Sequence, residues 1–381
     1  MRWLWVLMAA CLAAGCSDAA SPGSKAAQTD ARPPAAEAKV DNKDPWHVID
    51  AFEVGRDVYV RSMALDPAAN RLWVGTSLGV HEVDLSNQSL LNTFTRADGL
   101  ANEYVFSIFV DKDGYKWMGT NGGGASRYKD GKWKVYFPMH GLADYWVYSF
   151  GQQADGKVWI GTWAGANMWD PATGKFKTYY DELVNEWVYG IGVDSRQRVW
   201  FGTEGGISMF DGSKWQAWTH KDGLGAPNDD NLPISLNTGL GTRSRHNLSV
   251  MADGEPTYNP SYVFCVHVDK HDQVWAGTWG GGVSRFDGKK WHNYSVKDGL
   301  AGSLVYSMAE SDNGDMWFGT NKGVSRFDGK HWFNYGRKDG LLSENVYAIA
   351  AVSDDEVWAG SRGGVTRLGT AEVKQKAGKA E

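Results

Sequence analysis

From Trp46 onward, short runs of alternating apolar and polar residues are separated by Gly- and Asp-rich turns. That alternation is the signature of strands joined by tight turns. One run reads Val105-Phe106-Ser107-Ile108-Phe109-Val110 and ends in Asp111-Lys112-Asp113-Gly114. A second carries the tetrapeptide W-x-G-T. A third is like Val283-Ser284-Arg285-Phe286, and a fourth is like Trp291-His292-Asn293-Tyr294. A D-G-K turn joins the last two, and a D-G-L turn follows, at Asp98, Asp222, Asp298 and Asp339. The pattern predicts four short strands per unit.

The unit recurs. W-x-G-T starts at Trp73, Trp117, Trp159, Trp200, Trp275 and Trp317, and Trp358-Ala359-Gly360-Ser361 is a seventh copy. Successive copies are 44, 42, 41, 75, 42 and 41 residues apart, the 75 being one period plus an insertion. Sustained periods of this size mark propellers or solenoids, and four strands per repeat favour a propeller. The last unit lacks its fourth strand, while Trp46-His47-Val48-Ile49 resembles one. The expectation is an all-β, seven-bladed propeller over residues 46–369, closed by pairing of the N-terminal strand with the last blade. Closure removes the bare sheet edge of an open array.

The run V-x-S-x-x-x-D-x-x-G-x-x-W-x-G-T-x-x-G-G-x-S-R-F-D-G-x-x-W-x-x-Y-x-x-x-D-G-L resembles the two-component-regulator propeller repeat. The resemblance covers everything past residue 45. It implies a periplasmic, ligand-binding sensor propeller, since that family is best known in hybrid histidine kinases whose paired propellers detect glycan fragments. This chain has a single propeller and no kinase or response regulator, so signalling would need a separate sensor kinase or another envelope protein.

Residues 1–15 form a leader with one Arg and an apolar run too short to span a bilayer. It ends in Leu12-Ala13-Ala14-Gly15-Cys16, which resembles a bacterial lipobox. The resemblance implies a lipoprotein signal peptide, lipid on Cys16, and a membrane partner reached through that anchor. Ser17 after the Cys implies the outer membrane, facing the periplasm or the cell surface. Residues 16–45 are rich in Ala and Pro and lack aromatics before Trp46, which reads as a flexible tether spanning on the order of 30 Å. Residues 370–381 read as a disordered tail.

A formal charge of −6 with no basic block argues against nucleic acid. Of three cysteines, only Cys265 lies in the repeats, so no disulfide framework is possible there and Cys265 reads as a small core residue. Tryptophan is the anomaly, at 20 residues. Most occupy W-x-G-T or fourth-strand positions and are expected to wedge between blades.

Four do not: Trp146, Trp163, Trp187 and Trp279. Trp146 and Trp187 precede first strands, and Trp163 and Trp279 follow W-x-G-T. In a propeller both loop types lie on one face. The insertion at 225–260 joins the same sector. The expected site is an aromatic cleft formed by these four with Tyr104, Tyr145 and Tyr262. Glu103, Asp144, Glu186, Glu204 and Arg362 would supply charge and hydrogen bonds. Flat indoles stack on sugar faces, so carbohydrate is the expected ligand, with another small planar ligand as alternative.

No catalytic residue and no metal site is expected. His267 and His271 lack a metal-ligand context, and no G-x-S-x-G elbow or Walker loop occurs. Asp229-Asp230 in the insertion is the one calcium candidate, and no other cofactor is implied. The reading is a non-catalytic binding propeller. Its alternatives are a scaffold subunit of an envelope complex and a polysaccharide-acting enzyme.

Overall fold

The computed structural model describes residues 44–235 and 256–370. Cys16, the leader, the tether, the tail and the middle of the insertion lie outside them. The described chain is a β-propeller. Five of the repeats among the described residues each lay down four antiparallel strands, as in Val105–Val110, Lys116–Thr120, Ala125–Lys129 and Lys132–Tyr136. The first strand of each unit is innermost, and the inner strands pack side by side around a central channel.

The motif residues explain the packing. The W-x-G-T indoles are buried between sheets, and Trp117, Trp159, Trp317 and Trp358 are fully enclosed. Trp117 Nε1 donates to Asp111 Oδ2 at 2.9 Å, Trp200 Nε1 to Asp194 Oδ2 at 3.0 Å and Trp275 Nε1 to Asp269 Oδ2 at 2.8 Å. The acid six residues earlier therefore closes its own turn and satisfies a buried donor, which costs free energy when left alone. The glycine of the motif lets sheets approach. A Cβ on Gly119 would sit 2.6 Å from the Val147 carbonyl oxygen of the next sheet. In D-G-L, the Asp98 carboxylate accepts from Thr95 N at 2.8 Å, Gly99 takes φ of 117°, and Leu100 plugs the core.

Seven separate blades closed by an N-terminal strand were expected, and the structure corrects this. The hydrogen-bonded sheets number six: five of four strands and one of six. The cause is the strand His47–Asp66, which runs unbroken for 20 residues. Its first half pairs with Glu356–Gly369, from His47↔Gly369 to Gly55↔Gly363. Its second half pairs with Arg71–Thr76, from Val60↔Thr76 to Asp66↔Arg71. The sequence reading split this segment into a closing strand and a first inner strand. No turn separates them. Register shifts around Gly55 bend the strand instead, and the first and last repeats share one sheet.

The ends of the insertion are tied to the fifth repeat. Ile234 bridges Tyr258, and Tyr258 Oη donates to the Ala226 carbonyl at 2.8 Å. Asp229, half of the calcium candidate, pairs with Lys297 at 3.1 Å.

Candidate functional site: an aromatic mouth over the central channel

The two loop positions singled out in the sequence are hydrogen-bonded neighbours. Trp163 N donates to the Trp146 carbonyl at 3.2 Å, as Asn121 N does to Tyr104 at 2.9 Å and Asn321 N to Leu304 at 3.1 Å. The repeat's own backbone therefore places both side chains at one end of the inner strand. Trp146 and Trp163 ring centroids lie 5.9 Å apart, and Trp163 and Trp187 lie 4.2 Å apart. Trp279 stacks on Tyr262 at 5.5 Å and 13°, and its Nε1 donates to Thr257 Oγ1 at 2.9 Å.

All four indoles join one cluster with Tyr104, Phe106, Tyr148, Tyr189, Tyr262 and Phe264. Trp163 and Trp187 are 7% and 5% exposed, so they form the base of the cluster, while Trp146 and Trp279 are half-buried at its edge.

Other expected residues scatter. Tyr145 is exposed and stacks on Phe137, outside the cluster. Successive side chains along an extended chain point to opposite sides, and the neighbour of Trp146 is turned away. Glu186 is exposed at the rim. Glu204 is buried beside Tyr189 and Tyr262, whose hydroxyls are pushed up by burial first and by its carboxylate in addition. Asp144 is buried and accepts from Trp146 N at 2.9 Å, and Glu103 accepts from Arg96 N at 3.3 Å, so both shape loops. Arg362 lies in the last repeat, paired with Asp57 and 5.6 Å over the Tyr59 ring.

The sequence reading missed the channel itself. Its cavity, about 230 Å³, is lined in layers by the inner strands. The layer nearest the tryptophans holds Phe106, Tyr148, Tyr189, Phe264, Tyr306 and Tyr347, with Arg61 in the place of a seventh aromatic. Below come small residues, among them Ser107, Ser149 and Ser307, then an apolar layer that includes Ile108, Phe150 and Met308. The signal was present. The residue after the Val that opens each inner strand is aromatic in every copy but one, and that one reads Val60-Arg61-Ser62.

The rings touch around the mouth. Phe106 meets Tyr148 at 4.9 Å, Tyr148 meets Tyr189 at 5.0 Å, and Tyr189 meets Phe264 at 5.9 Å. Phe264 meets Tyr306 at 5.8 Å, and Tyr306 meets Tyr347 at 5.1 Å. Such pairs add about 0.5–1.5 kcal/mol each beyond area burial. Arg61 spans the gap that remains, its guanidinium 5.3 Å from the Phe106 ring and 5.7 Å from the Tyr347 ring. Burial pushes the hydroxyls of Tyr189, Tyr262, Tyr306 and Tyr347 upward, so they stay neutral donors across the physiological range. Burial likewise pushes the Cys265 thiol up to about 12, which leaves it an inert packing group beside the channel.

With this geometry in place, comparison with known proteins is informative. Residues 299–322 match the family model described as two component regulator propeller. That match covers one turn-and-strand stretch of the sixth W-x-G-T unit. No curated protein matches it.

Among solved structures, the chain resembles the extracellular domain of a protein named as a hybrid two component system from B. thetaiotaomicron. The TM-score is 0.65 at 20% identity, over 85% of this chain and 41% of that one. It also resembles a catalytically inactive virginiamycin B lyase from Staphylococcus aureus, solved with quinupristin. Here the TM-score is 0.62 at 12% identity, over 85% and 99%. A third is PorZ, a surface component of the type-IX secretion system of Porphyromonas gingivalis. Its TM-score is 0.55 at 12% identity, over 86% and 38%.

The chain thus spans less than half the length of the sensor domain and of PorZ. At these identities the likeness is one of fold. No helix among the described residues is long and apolar enough to cross a membrane.

Proposed function

We propose that this chain is a non-catalytic, ligand-binding propeller of sensor type, held in the bacterial envelope by lipid on Cys16 at the outer membrane, with carbohydrate as its ligand. The observation that carries the reading is the gathering of four tryptophans outside the W-x-G-T positions over a cavity already ringed by aromatics. The corresponding positions elsewhere hold Asn121, Glu204 and Asn321 in the turn and Tyr104, Tyr262, Leu304 and Asn345 before the strand, so tryptophan is not a requirement of the repeat. Half-buried indoles at the edge of a cavity offer flat apolar faces to a sugar ring, and a few polar groups set its orientation.

The chemistry of the channel favours binding over hydrolysis. Glycoside hydrolysis by the common route needs two carboxyl groups flanking the bond, and the channel lining carries none. An anchored single propeller would pass its signal, or its captured glycan, to a separate envelope protein. Isothermal titration against a glycan panel tests the reading. Heat with at least one glycan, lost in Trp146→Ala and Trp279→Ala, is expected. Silence across the panel would overturn carbohydrate as the ligand. Globomycin-sensitive processing, and its loss in Cys16→Ala, tests the anchor.

A further inference from the structure

We propose that Arg61 is the anchor of an anion subsite in the channel mouth, and that the ligand ring seated there carries a carboxylate. That the ring is a sugar rests on the function proposed above. That it is anionic rests on Arg61 alone.

Arg61 Nε and Nη1 are buried with no hydrogen-bond partner, and no carboxylate among the described residues lies within ion-pair distance of its guanidinium. Arg285 also has a buried Nε without a partner, but it packs over Trp275 and Tyr294 and does not line the channel, and two other inward arginines are paired with carboxylates. Arg326 holds Asp44 at 2.7 Å and Asp315 at 2.8 Å, and Arg367 holds Asp50 at 2.9 Å and Glu356 at 3.0 Å. Arg61 is half-buried, and a guanidinium partly withdrawn from water without a counter-charge carries a cost that an anion entering the cavity relieves.

Its surroundings fit that role. Phe106 and Tyr347 flank the guanidinium, which holds its plane but supplies no neutralising charge. The nearby Tyr306 and Tyr347 hydroxyls are held neutral by burial, so they donate hydrogen bonds and do not compensate the cation. Below the serines the lining turns apolar at Ile108, Phe150 and Met308, so a charged group stops above that layer, within reach of Arg61. A planar carboxylate matches the guanidinium fork with two parallel hydrogen bonds. The cavity, about 230 Å³, is below the roughly 300–1,000 Å³ of pockets that enclose drug-sized ligands. It admits one ring, so a chain would enter end-on with its terminal acidic residue at Arg61.

The test uses the full-length protein with three probes: methyl glucuronide, its uncharged methyl ester, and benzoate as a carboxylate on a ring that is not a sugar. Binding is read by calorimetry and tryptophan fluorescence. Wild type is expected to prefer the charged glucuronide over the ester by roughly 10- to 100-fold. Arg61→Gln is expected to erase that preference while melting as wild type does, and Arg61→Lys to restore part of it.

Equal affinity of wild type for acid and ester, or unchanged acid binding in Arg61→Gln, would overturn the subsite. Binding of benzoate alone, lost in Arg61→Gln, would uphold the anion subsite and overturn the sugar. Binding of the ester by Arg61→Gln at wild-type strength would uphold the sugar site whatever becomes of the anion. Failure of both carboxylates to bind wild type overturns the proposal.

Discussion

The tryptophans of the W-x-G-T strands and those at the channel mouth are the same side chain under opposite constraints. Trp117, Trp200 and Trp275 sit between sheets with every part of the indole answered. The ring is enclosed, and the N–H meets an Asp that also closes the preceding turn. Trp146 and Trp279 lie at the edge of a cavity on loops that the other repeats build from Asn, Leu, Glu or Tyr. The first set repeats because the fold needs it at each sheet contact. The second set is confined to one sector because only a local demand explains it. The contrast separates what makes a propeller from what this propeller does.

The inter-sheet set should dominate stability. Trp200→Ala is expected to cost about 3–5 kcal/mol in denaturant unfolding, as truncations of fully buried aromatics do. Loss of less than 1 kcal/mol would mean that the sheet contacts are looser than their geometry. A finer comparison lies within the set. Trp73 Nε1 has no partner among the described residues, because the position six before it is Pro67 and offers no side-chain acceptor. Trp73→Phe removes an unsatisfied donor, whereas Trp117→Phe takes one donor from the buried Asp111 Oδ2, which is left with Arg127 at 3.7 Å. Trp117→Phe should be the more destabilising by about 1–3 kcal/mol, measured by the shift in urea midpoint at unchanged m-value.

The sequence showed the first set almost entirely, because inter-sheet packing repeats and a repeat writes itself into spacing. The face shared by Trp146, Trp163, Trp187 and Trp279 was legible for the same reason: turn and strand ends recur in register. Three features were not legible. The joint sheet of the first and last repeats depends on Gly55 bending a strand where a turn was read, and bends and turns draw on the same residues. Tyr145 was placed by proximity in sequence, but the side of the chain it faces is set by local geometry. Arg61 stood in a position used as a strand template. Its departure from the aromatic consensus gains meaning only once the inner strands are seen to share one cavity.

The mouth aromatics themselves set a pH limit. Burial raises the hydroxyls of Tyr189, Tyr262, Tyr306 and Tyr347 above their ordinary value of 10.0. The folded chain keeps these protons where the unfolded chain releases them. Their contribution is therefore complete below pH 10 and is lost as pH rises beyond it. Each such proton steepens the decline by about 1.4 kcal/mol per pH unit. A phenolate absorbance titration should show one set of tyrosines ionising normally and a second set appearing only with unfolding. A single smooth titration of all tyrosines would show that the channel mouth is wet.

The smallest expected stability effect is also the most discriminating. Trp146→Ala removes a half-buried ring whose backbone bonds, N–H to Asp144 and carbonyl from Trp163, do not depend on the side chain. A position at the edge of a cavity leaves no void when truncated, so the loss should stay below about 1 kcal/mol. Binding at the mouth should fall far more than stability, since aromatic anchors carry a disproportionate share of contact energy. If Trp146→Ala melted several degrees low and bound its ligand unchanged, the mouth indole would be a packing residue like Trp200. The division between the two sets of tryptophan would then mark two kinds of core, with the functional surface elsewhere on the propeller.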